Sequence, residues 1–81
     1  MSASAAQNEL TAFALQRLIR AAGPADGPQA AREVFARLGI GELTSATDLL
    51  EFSEHLIAKG GVFEAVGRGL KVSALLRGAK A

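Results

Sequence analysis

Three glycine-bearing interruptions do most to limit what this chain can fold into: GPADGP at residues 23–28, GIGE at 39–42 and GG at 60–61. They leave four stretches. None of these alternates apolar and polar residues as a half-buried strand does, and β-branched residues are few. Apolar residues instead recur at three- and four-residue spacing. The sequence therefore predicts an all-α fold: a small four-helix domain with short glycine-containing turns at Gly39 and Gly60-Gly61, its first helix the longest.

The first segment runs from about Ser4 to Ala22. Leu10, Ala14, Leu18 and Ala21 share a face, with Leu15, Ile19 and Ala22 beside them, an arc wide for a surface helix. Phe13 falls outside it, among Glu9, Gln16, Arg17 and Arg20, where a second subunit or partner would meet it. The second segment starts at Pro28, suited to a first helical position, with Gly27 or Asp26 as cap. Its stripe is Ala31, Val34, Phe35 and Leu38, and Gly39 stops it. The third starts at Thr44 or Ser45, where Ser45 and Asp48 form a capping box with aspartate replacing the usual glutamate. Ala46, Leu49, Leu50, Ser53, Leu56 and Ile57 make its apolar face, flanked by Phe52. Asp48, Glu51 and His55 lie opposite.

With 81 residues the chain is one domain spanning 1–81, with residues 1–5 as a disordered tail and 78–81 as a frayed end. A core this small is marginal, and domains of this size usually need a staple or a partner. Cysteine is absent, so disulfides and thiolate metal sites are excluded. Hydrophobic residues make up 49% of the chain, more than one small core can hide, which points to oligomerisation and first of all to a dimer. No run approaches the roughly 18 apolar residues of a membrane span, and the N-terminus has no basic region ahead of an apolar one, so the expected location is cytoplasmic.

Catalytic chemistry finds few carriers. His55 is the single histidine. Glu51, one turn before it, is placed to orient it, but Ser53 points to the other face and no other nucleophile is at hand. Glu51 and His55 supply two metal ligands where three or more are needed. In GRGLKVS, Leu70 separates Gly69 from Lys71, which breaks a phosphate-binding loop. The stretch LGIGELTSATDLLEFSEHL loosely resembles the segment of acyl carrier proteins that carries the modified serine, with Ser45 in its place. Thr44 and Ala46 stand where aspartate and leucine belong. AAREVFARLGIGELTSATDLL has the outline of a helix-turn-helix. Phe35 occupies the position that motif keeps small, and its recognition helix would turn Asp48, Glu51 and Glu54 toward phosphates. No enzyme activity and no cofactor are expected.

Charge separates along the chain. Residues 42–54 hold four acids and no base, whereas residues 59–81 hold five bases against Glu64. That last segment, from about Val62 to Arg77, is apolar, basic and glycine-bearing together. Val62, Phe63, Val66, Leu70, Val72 and Leu76 form a broad arc, with Glu64, Arg68 and Lys71 opposite. Gly67 and Gly69 each cost about 1 kcal/mol in a helix interior, so contacts must compensate. Ala65, Gly69 and Ser73 recur every four residues as a ridge of small side chains that lets a neighbouring backbone come close, whether that helix is internal or from another subunit. Gly67 falls toward Lys71 and solvent. The expected helix-packing set is thus Phe13, Val62, Ala65, Val66, Gly69, Ser73 and Leu76.

The function expected from these features is a non-enzymatic helical protein–protein interaction module that self-associates through apolar helix faces. A small nucleic-acid-binding regulator is the alternative, with Arg68, Lys71, Arg77 and Lys80 as anion contacts. A membrane-surface module is a second alternative, weakened by the lack of tryptophan. A homodimer or another protein partner is favoured over nucleic acid and membrane.

Overall fold

The computed structural model describes residues 2–80, with side chains from Glu9 to Lys80. Met1 and Ala81, the extremes of the expected tail and frayed end, lie outside the described residues. Four helices follow one another: α1 (Ser2–Ala22), α2 (Asp26–Leu38), α3 (Ala46–Lys59) and α4 (Val62–Leu76). The all-α expectation holds, and α1, at 21 residues, is the longest helix. Each helix packs on the next, and α4 closes back on α1. Residues 2–5, assigned to a tail from the sequence, belong to α1.

Local chemistry explains three of the helix ends. Ser45 caps α3, its Oγ accepting the Asp48 N–H at 3.1 Å. Asp48 Oδ2 reaches one residue further back than a capping box requires. It accepts from the Thr44 N–H at 3.0 Å and the Thr44 hydroxyl at 2.8 Å. The Ser45 hydroxyl is thus engaged in the cap. At the end of α2, Gly39 takes the left-handed conformation (φ 73°), and the Ile40 N–H returns to the Phe35 carbonyl. The end of α4 closes in the same pattern: Gly78 N–H bonds Leu75 O at 3.1 Å and Ala79 N–H bonds Ala74 O at 3.0 Å. Ala79 is buried, so residues 78 and 79 have defined positions within the stretch that the sequence marks as frayed.

The start of α2 departs from expectation. The helix begins at Asp26, with Ala25 as N-cap and no side-chain cap, so Pro28 sits two residues inside. The reason is tertiary. Gly27 presses on the α1 backbone, where a Cβ would stand 2.9 Å from Ile19 N and Leu18 C. The missing side chain at Gly27 lets α2 cross the end of α1 that closely.

The core gathers Ala14 and Leu18 of α1, Ala31 and Val34 of α2, Leu49, Leu50, Phe52 and Leu56 of α3, and Leu70 and Ala74 of α4. Phe52, expected at the flank of its face, is fully buried, its ring 5.2 Å from that of Phe35. Ser53 is also fully buried and donates to Leu50 O at 2.6 Å, which satisfies its hydroxyl. Leu43, in the α2–α3 connection, is completely enclosed, and its N–H donates to Thr11 Oγ1 at 2.9 Å. That bond ties a loop to a helix 32 residues away.

Candidate functional site: the outward face of α4

The largest departure from the sequence reading is the orientation of α4. Its buried residues are Gly67, Leu70 and Ala74, with Phe63 and Val66 partly covered. Val62, Val72 and Leu76, expected in the packed arc, face outward. Gly67, expected toward solvent, is the seam with α3: a Cβ there would stand 2.7 Å from Ser53 O and 2.9 Å from both Ile57 N and Ile57 Cγ1. At Gly69 the corresponding space is open, with nothing within 4 Å. The ridge Ala65–Gly69–Ser73 is therefore not the internal packing seam; Ala65 and Gly69 are exposed and Ser73 is half-buried. Small residues on the α3 side, Gly67 and Ala74, decide which way the helix turns. Contact between Gly67 and Ser53, with Lys71 Nζ 3.7 Å from Glu54 Oε2, sets the two helices antiparallel about Gly60-Gly61.

The outward face is apolar. Among the described residues the exposed large aliphatics are Val62 (42% exposed), Val72 (56%), Leu75 (41%) and Leu76 (84%), all on α4. Ala65 and Gly69 lie between Val62, Val72 and Leu76 and leave a shallow depression. With Val66 and with Arg17 of α1 they line a groove of about 220 Å³. Val72 and Leu75 open on a second hollow, with Ile57, Arg68 and Lys71.

Basic residues border this face unequally. On the α3 side, Arg68 pairs with Glu64 at 2.6 Å and Lys71 with Glu54 at 3.7 Å. On the α1 side, Arg17 and Arg77 both stand against the ring of Phe13, at 4.9 and 5.2 Å from its centre. Neither has an ion-pair partner among the described residues. Phe13 is half-buried against the core, so it serves as a platform for two guanidiniums and not as an exposed contact. The four bases expected to act together, Arg68, Lys71, Arg77 and Lys80, are split: the first two lie on one border, Arg77 on the other, and Lys80 at the exposed chain end. The sequence reading missed Arg17 and Leu75. Arg17 joins the face only because α1 packs beside α4.

Elsewhere the surface offers less. His55 Nδ1 lies 3.0 Å from the backbone carbonyl of Glu51, not from its carboxylate. A carbonyl only accepts, so that nitrogen carries the proton. His55 lines a groove between α2 and α3 with Glu33, Arg37 and Lys59. Lys59 bonds Glu33 at 2.7 Å and holds the Glu33 carboxyl below its ordinary value of 4.5. No three His, Cys, Asp or Glu side chains among the described residues are grouped to hold a metal ion. Among the described residues no helix is long and apolar enough to cross a membrane. Compared with known proteins, the chain matches no family model, no curated protein sequence and no solved structure.

Proposed function

We propose that the chain is a non-enzymatic helical protein–protein interaction module and that its contact surface is the outward face of α4. One observation carries the reading: every exposed large aliphatic among the described residues lies on this one helix, and three of the four, Val62, Val72 and Leu76, surround a centre of alanine and glycine. Scattered apolar residues are normal on a protein surface, whereas a contiguous apolar face marks a contact. The expected homodimer is one form of this reading, in which a second copy covers the face. The nucleic-acid reading draws less support, because Arg68 and Lys71 are already engaged by Glu64 and Glu54.

The test compares the parent chain with Leu76→Glu and Val72→Glu, both at exposed positions where folding should be unaffected. Light scattering with refractive-index detection gives the mass of each chain, since there is no Trp or Tyr to absorb. Affinity capture with mass spectrometry gives what each one holds. The expected result is an association, with a copy or with another protein, that the parent makes and both variants lose. Equal behaviour of all three chains would overturn the reading.

A further inference from the structure

The two borders of the α4 face differ in charge balance, and that difference says what kind of partner fits. On the α3 side each base has its carboxylate, Glu64 for Arg68 and Glu54 for Lys71. On the α1 side two guanidiniums converge on one phenyl ring, and neither has a carboxylate partner among the described residues. The ring lies beside both, and neither guanidinium takes part in a side-chain hydrogen bond among the described residues. The N–H donors around the edge stay available, in the fork geometry that matches a carboxylate. An acidic side chain brought to this border meets two cationic donors that have no carboxylate of their own among the described residues.

We infer that the partner seated on this face is an amphipathic helix from another protein, small or aliphatic where it crosses Ala65 and Gly69, and carrying Asp or Glu along the edge that meets Arg17 and Arg77. The inference deepens the proposed function and rests on it. The open space above Gly69 admits a helix backbone closely, the mode in which a helix lies in an apolar groove. A second copy fits less well. Arg17 lines the groove beside Gly69, the middle of the face, so an antiparallel two-fold pairing of α4 about Gly69 brings Arg17 against its own mate. A lipid surface fits less well too, because the centre of the face is a depression where adsorption favours protruding bulk, and the chain has no tryptophan.

The experiment titrates the full chain into fluorescently labelled peptides of about 18 residues, long enough to form helix. One carries leucine and alanine on one face and glutamate on both edges; a second has lysine and a third glutamine at the edge positions. The expected result is that the glutamate peptide binds about tenfold or more tighter than the lysine peptide, with the glutamine peptide between them. Leu76→Glu should abolish binding. Arg17→Gln with Arg77→Gln should erase the preference, and Arg17→Glu with Arg77→Glu should reverse it, each variant being checked for helix content. Binding that needs Leu76 but ignores edge charge would sink the acidic partner and leave the α4 reading standing. No binding by any peptide from a chain that is also monomeric and leaves vesicles alone, or binding indifferent to Leu76→Glu, would overturn both. A dimer that Leu76→Glu dissociates, or sedimentation with phosphatidylserine–phosphatidylcholine vesicles in place of peptide binding, would overturn the acidic helix in favour of a second copy or a membrane.

Discussion

Gly67 and Gly69 sit two residues apart and do opposite things. Both lower the intrinsic helix propensity of α4 by about 1 kcal/mol against alanine. At Gly67 a methyl group would meet the Ser53 carbonyl and the Ile57 backbone nitrogen, neither of which can move without shifting α3. Overpacking of this kind costs roughly 1–3 kcal/mol, enough to outweigh the gain in propensity. At Gly69 the added methyl would enter open space. Gly67→Ala is therefore expected to lower the melting temperature and Gly69→Ala to leave it unchanged or raise it, with each kcal/mol worth about 4–8 °C in a domain this small. Thermal melts followed by far-ultraviolet circular dichroism decide it. Equal shifts in the two variants would show that the orientation of α4 is wrong.

Between helices, the polar contacts sit at the surface and tune more than they build. Lys59, at the end of α3, bonds Glu33 on α2, and this bond, followed by the charge of Lys59, is what lowers the Glu33 carboxyl. A carboxyl whose folded value is depressed stabilises the fold fully above its unfolded value. That contribution is lost as pH falls through the lower folded value. Stability of the parent should therefore fall more steeply than that of Lys59→Met once the pH drops below about 4.5, the ordinary value for glutamate. The difference will be small, because the pair is exposed. Urea midpoints across that range, with the Glu33 carboxyl followed by nuclear magnetic resonance, test it. A Glu33 titration that Lys59→Met leaves unmoved would refute the pairing.

The whole molecule depends on a residue that belongs to no helix. Leu43 is completely buried, and its amide is held by Thr11, so the α2–α3 connection is pinned to α1 as well as to the core. Leu43→Ala should cost about 2–5 kcal/mol, a large part of what so small a domain holds. Thr11→Val keeps the shape of the side chain but removes the acceptor, at a cost of about 1–3 kcal/mol for the amide left unpaired. The two sites touch, so the double variant should lose less than the sum of the singles. Additive losses in denaturant melts would mean that Thr11 does not hold Leu43 in place.

Local rules were enough for much of this chain. Helix number and approximate limits follow from apolar spacing and glycine interruptions, and the start of α3 follows from Ser45 and Asp48, because capping and periodicity act over a few residues. The sequence also singled out Val62, Ala65, Gly69 and Leu76, but as members of a packed arc. It could not say which side of α4 turns inward, since apolar residues occupy more of that helix than one neighbour can cover, and glycine adds no hydrophobic signal to either side. That choice was made by the distance between backbones: α3 comes so close that only Gly67 fits against Ser53 and Ile57. Leu43, isolated in a connection, has no period to reveal it. The convergence of Arg17 and Arg77 on Phe13 joins opposite ends of the chain. Such proximity exists only after the helices have packed, so tertiary structure alone decided which apolar face was left bare and which charges border it.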